Sequence, residues 1–178
     1  MLYKAASASY SKQYVLVAQV NDTTHIQPQK LLAQVSNGTE SIHDIRLFHE
    51  VEIFDLNKVQ NNDNPPPTLL LALIEPQPGP DPASDLDAWY RQEHNQQMAE
   101  QPGWRRTCRY ELSECAVGDA GGKAGGENVE LRFLAIHEFG DENLLGDEVG
   151  VLEPVSEWTK RVMGQAVGIE AAIFRRVG

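Results

Sequence analysis

From Thr68 to Val177 the chain passes through apolar runs, helical spacings and strict alternations in an order that restricts its fold more than any other feature. "TLLLALIEP" is a continuous apolar run of strand length. In "DLDAWYRQEHNQQM", Leu86, Tyr90, His94 and Met98 recur every four residues, the spacing of one helix side, with Trp89 at its edge. Ser84 or Asp85 is the expected N-cap, and Pro102-Gly103 stops the helix. "WRRTCRYEL" (Trp104 to Leu112) and "ELRFLAIHEF" (Glu130 to Phe139) read as strands. "EPVSEWTKRVMGQ" (Glu153 to Gln165) follows as a second helix and "IEAAIFRRV" as the last strand.

The order βαββαβ predicts an α+β protein built on a ferredoxin-like split βαβ unit. Its antiparallel sheet carries helices on one face, so the other face needs a cover. The first 60 residues are too short to repeat that unit. "YVLVAQV" (Tyr14 to Val20) reads as a buried strand, and "QPQKLLAQVSNG", with Pro28 at its start and Gly38 beyond its end, as a helix. "IRLFHEVEIF" reads as a strand with Ile45, Leu47, His49, Val51 and Ile53 on one face. The expectation is a degenerate βαβ half-repeat over 1–60, a Pro/Asn linker over 61–67 and a complete unit over 68–178. "SECAVGDAGGKAGGENV" (113–129) is expected to be a glycine-rich loop.

Size and charge narrow the function. With 178 residues and 41% hydrophobic content the chain can bury one good core, or two small ones sharing a seam. A net charge of -11 repels a phosphate backbone and an anionic membrane alike, which argues against nucleic acid and membrane partners. No signal-peptide pattern and no span of roughly 20 apolar residues is present, so a soluble, cytoplasmic protein is expected. Cys108 and Cys115, without paired spacing, read as reduced thiols. "GDAGGKAGG" fails as a phosphate loop, because Lys123 is not followed by a hydroxyl residue or a helix.

The chemistry concentrates on the first helix of the complete unit. Tyr90 and His94 stand one turn apart and can offer a phenol and an imidazole to one small volume. Imidazole titrates near neutrality, which suits general acid–base work on an enolisable or hydroxylated substrate. A core histidine bonded to a carbonyl and a water is the competing reading. His137 shares a strand face with Phe133, Ala135 and Phe139, and His49 lies likewise between Leu47 and Val51, so three histidines are expected on buried faces. Metal ligation by them lacks HxH, HExxH or clustered carboxylates, and no metal is expected. Trp89 borders the Tyr90/His94 face as a possible wall for an aromatic ligand, whereas Trp104 and Trp158 read as core. Arg109 could hold a carboxylate or phenolate, or simply be solvated. Asp87 and Glu93 read as helix surface or caps.

"LLLALIEP", "DLDAWYRQEHNQQMAEQPGWRRTCRYEL", "LRFLAIHEF" and "EWTKRVMGQAVGIEAAIFRRV", taken in order, resemble the EthD-like group of dimeric α+β-barrel proteins of secondary metabolism. The resemblance covers residues 68 to 177 and is most specific where the "WYRQEH" helix runs into "PGWRRTCRY". It implies a barrel formed when two sheets meet by their open faces and a pocket between helices and sheet. The barrel could close within the chain or between two chains, and because the full unit is present only once a homodimer is expected. It further implies that His94 serves as acid or base with Tyr90 close by. The resulting expectation is a cofactor-independent enzyme of polyketide-type metabolism that cyclises, dehydrates, isomerises or decarboxylates a small apolar or aromatic substrate. His94, Tyr90 and His137 are the expected catalytic residues; Trp89, Arg109, His49, Phe133 and Met98 are the expected substrate-binding residues. A non-catalytic small-molecule-binding or scaffold protein is the alternative, and an oxidative reaction with haem or a quinol-like substrate is a third reading that side chains alone do not separate.

Overall fold

The computed structural model describes residues 1–35, 44–56, 64–118 and 130–178. Gly38, residues 57–60 at the end of the expected half-repeat, residues 61–63 of the expected linker and the stretch 119–129 with Lys123 lie outside the described residues. Strands β1 (Leu2–Ala5), β2 (Tyr14–Leu16), β3 (Asp44–Phe54), β4 (Thr68–Glu75), β5 (Trp104–Val117), β6 (Phe133–Phe139) and β7 (Gly168–Arg176) join in one antiparallel sheet, in the order β2-β1-β7-β4-β6-β5-β3. The strands of residues 68–177 occupy its middle, and strands from the first 54 residues extend both edges.

The helices are α1 (Pro28–Val35), α2 (Pro82–Trp89), α3 (Asn95–Ala99) and α4 (Glu157–Gln165), with a π-helical turn over Tyr90–His94 that joins α2 directly to α3. α2 starts earlier than its sequence suggests. Asp81 is the N-cap, its side chain accepting from the Ser84 amide, and Pro82 takes the first turn where no amide donor is needed. Gly103, at φ 74°, turns the chain into β5, and a Cβ there would meet the Asn143 backbone at 2.6 Å. No helix among the described residues is long and apolar enough to cross a membrane.

Two further expectations need correction. Tyr14–Leu16 is a three-residue edge strand rather than a buried one, with Tyr14 58% and Leu16 67% exposed, because it pairs with β1 alone. Ser113–Val117, expected in the loop, continues β5, because the long β3 supplies ladder partners as far as Asp44.

The sheet is strongly curled. Strands β7 and β3 stand four strand spacings apart, about 19 Å if the sheet were flat. Yet Lys12 Nζ lies 2.6 Å from Glu170 of β7 and 3.8 Å from Asp44 of β3, so the two sides bend toward each other. On the concave side Leu69, Ile136, Ala172 and Phe174 pack with Tyr3, Ala5, Tyr10, Val15 and Val17. The N-terminal residues therefore supply part of the cover that the helix-free face requires. On the other side, Trp89, Tyr90 and Leu86 pack with Ile74, Phe133, Ala135 and Val162, while Met98 packs with Leu70, Phe139 and Ile173.

Candidate functional site

The helix-facing side of the sheet can be read as rows across the strands. One row is Phe54, Thr107, His137, Leu70 and Ile173; the next is Glu52, Arg109, Ala135, Ala72 and Ala171. His137 thus lies between Ala135, which packs with Tyr90, and Phe139, which packs with Met98. The π turn passes over this strip. A π turn widens the helix locally and is frequent at functional sites; here the Asn95 backbone N–H donates to the Tyr90 carbonyl, and Tyr90, Asn95 and Met98 are buried with the half-buried His94 beside them.

His94 stacks on Trp89, with centroids 4.3 Å apart and planes at 19°. Its ring meets Tyr90 edge-on at 5.2 Å and His137 edge-on at 5.5 Å. The structure therefore brings together three residues singled out as catalytic. Burial pushes the His94 imidazole down to about 4, partly offset by the charge of Glu93. His137, 1% exposed, is also lowered, first by burial and then by His94. Burial raises the Tyr90 phenol against the opposing effect of Arg109. At neutral pH the three groups are uncharged, and His94 holds a free lone pair.

Neighbouring contacts fix the rings. His137 Nδ1 is 2.8 Å from Thr107 Oγ1, which accepts from Trp104 Nε1 at 3.2 Å. Glu93 Oε1 receives Ser156 Oγ at 2.6 Å, Thr159 Oγ1 at 2.7 Å and Trp89 Nε1 at 3.3 Å. This clamps the π turn to the start of α4, where Ser156 is also the N-cap. Glu93 is thus more than helix surface, and its hydrogen bonds hold its carboxyl below the usual range. Asp87 is likewise misread from sequence: it accepts from Arg109, whose other arm reaches Glu52 at 3.1 Å.

The residues expected to bind substrate are spread wider. Arg109 is 5% exposed, gives two nitrogens to those carboxylates and lies 4.6 Å over the Tyr90 ring. Trp89, Phe133 and Met98 are buried in the two helix-side clusters. His49 does not share a buried face, since its side chain is 57% exposed, 3.2 Å from Ser113 and 3.5 Å from Glu111. The register shift after Glu50 leaves Val51 of β3 without a partner, the shift after Leu47 leaves Ser113 of β5 without one, and among the described residues no strand lies outside β3 in the sheet. A cavity of about 210 Å³ lies beside Pro76–Pro82, Leu86 and Val162 and does not reach His94.

Sequence reasoning missed Asn95. It is wholly buried, and neither atom of its amide has a hydrogen-bond partner within the protein; His137 Nε2 is in the same state. A buried asparagine inside a helix, where its propensity is poor, is the signal that could have drawn attention to it. Among the described residues no group of three His, Cys, Asp or Glu is arranged to hold a metal.

No family model matches the sequence, and no curated protein is similar to it. One solved structure, described as an anthrone oxidase-like protein, is similar over 76% of this chain and 56% of its own, at 10% identity and a TM-score of 0.44. This chain thus spans little more than half of that neighbour's length, and the likeness is too low to assign a function.

Proposed function

We propose that the chain is a cofactor-independent acid–base enzyme acting on an aromatic or polyketide-like substrate, with His94 as its proton-transfer group. The observation that carries this reading is the His94–His137 contact at 5.5 Å beneath a π turn, with His94 half-buried and both imidazoles held neutral. A neutral imidazole can accept a proton from an acidic carbon or hydroxyl. An anion formed beside it stabilises the imidazolium, which couples proton uptake to the charge that develops on the substrate. Tyr90, a neutral phenol, is the proposed donor to the enolate, and His137 the orienting partner. The EthD-type reading would place this site in a ferredoxin-like unit that pairs through open sheet faces as a homodimer, with residues 1–60 as a degenerate half-repeat.

A specific observation favours a second reading, that of a binding or scaffold protein: Trp89 and Tyr90 are 1% and 3% exposed, as packed core residues are. The two separate in deuterated buffer. With a panel of aromatic β-keto esters and phenolic ketones, the enzyme reading predicts deuterium uptake at the acidic carbon above the buffer rate. His94→Gln, whose amide accepts no proton near neutral pH, should cut that rate about 10²–10⁴-fold with the fold intact. A Gln variant exchanging at the full rate, or no exchange by the parent protein, sinks the enzyme reading.

A further inference from the structure

Three polar side-chain atoms that the acid–base reading leaves unused surround the same strip: Asn95 Nδ2, Asn95 Oδ1 and His137 Nε2. The protonation of His137 follows from its neighbours. Thr107, wholly buried, has two side-chain partners: Trp104 Nε1, which can only donate, and His137 Nδ1. The Thr107 oxygen could accept from both groups, but only donation to Nδ1 leaves the hydroxyl proton bonded; that assignment puts the His137 proton on Nε2. That makes Nε2 a buried donor without an acceptor.

Asn95 belongs to the same layer. It directly follows His94, whose ring meets His137. One turn earlier Arg91 reaches Glu52 of β3, and three residues later Met98 packs on Phe139 and Leu70. The Asn95 backbone N–H donates to the Tyr90 carbonyl, so Asn95 follows buried Tyr90 by one π turn and precedes buried Met98 on the side that meets the sheet, and α3 packs against β5. A buried amide without partners loses its hydration with no return, and such groups are rare in native proteins.

We propose that Asn95 Nδ2 and His137 Nε2–H form a two-donor cradle for one ligand oxygen, a phenol, enol or ketone oxygen on an aromatic ring, with Asn95 Oδ1 accepting from a neighbouring hydroxyl. This deepens the acid–base reading and rests on it for the aromatic class of ligand. Two neutral donors aimed at one oxygen favour it most when it carries negative charge, as an enolate or phenolate does. His137 is then a ligand-binding donor as well as a partner of His94, and Asn95 a specificity-determining residue.

The test uses the full chain and two probes of one shape, 2-naphthol and naphthalene, titrated by fluorescence. The parent protein should bind 2-naphthol at least 10-fold more tightly than naphthalene, on the scale of one or two good hydrogen bonds. Asn95→Leu, close to the amide in volume but without polar atoms, should shrink that preference to about 3-fold or less with naphthalene affinity unchanged. Its melting temperature should rise, since the unpaired amide is gone. Failure of the parent to bind either probe, equal affinity for both, or an unchanged preference in Asn95→Leu overturns the proposal. A fall in melting temperature with the preference intact overturns it too and assigns the amide to a structural water. The outcome is separable from the acid–base reading, because His94→Gln leaves both cradle donors in place: lost exchange with a retained 2-naphthol preference keeps both ideas, and full exchange with that preference lost on Asn95→Leu removes only the first.

Discussion

Strands β3 and β6 each carry one histidine in an alternating apolar frame, and their fates differ completely. His137 is 1% exposed beneath the π turn, whereas the His49 side chain is 57% exposed. β6 has β4 on one side, β5 on the other and a helix above, so alternation there does decide burial. β3 is the outermost strand on its side among the described residues, and its ladder with β5 is interrupted on each side of His49, by Ser113 of β5 and Val51 of β3, so the same pattern has nothing to bury against. Alternation specifies which residues share a face; the neighbouring elements specify whether that face is dry.

Substitutions sharpen this contrast. The largest stability loss is expected where the two strands are tied together. Arg109→Ala strands Asp87 and Glu52 at the junction of α2 with β3 and should cost about 3 kcal/mol in urea unfolding, the lower end for breaking a buried charge pair because both carboxylates are partly exposed. A loss below about 1 kcal/mol would show that the junction is solvated. His137→Ala removes a buried ring and orphans the Thr107 hydroxyl, for an expected cost of about 2–3 kcal/mol.

Acid should act on the buried pair. His94 is held at about 4 in the folded state against 6.5 when unfolded, so the unfolded chain binds more protons between these values. Stability from this group is complete above pH 6.5 and is lost as pH falls toward 4, by about 2–3 kcal/mol after discounting its partial exposure. His137 acts in the same direction. His94→Gln should flatten that part of the pH–stability curve, and an unchanged slope contradicts the burial argument. The smallest effect belongs to β3: His49→Ala should shift the urea midpoint by no more than about 0.5 kcal/mol equivalent.

How much of this was readable in the sequence depends on what each signal encodes. The strands and helices of residues 68–177 were legible because period and punctuation are local properties. The start of α2 was misplaced by a few residues, since Asp81 and Pro82 form a capping pair that competes with Ser84 and Asp85. The four-residue spacing of Tyr90, His94 and Met98 located the site, but not the π turn, which leaves no compositional mark. Glu93 and Asp87 look like helix surface until α4 and β5 are packed beside them. Asn95 was invisible because its importance lies in what it fails to bond. The curl of the sheet, reported by Lys12 bridging Glu170 and Asp44, is a property of seven strands together and of no segment alone.

The central claim, a neutral imidazole pair in which His94 can take a proton while His137 offers one, is tested most directly by long-range ¹H–¹⁵N spectra of the ring nitrogens between pH 4 and 8. The account predicts that His94 is uncharged at pH 7 and titrates near 4, with His137 fixed as the Nε2–H tautomer throughout the neutral range. An imidazolium at His94 at pH 7, or a proton on His137 Nδ1, contradicts it.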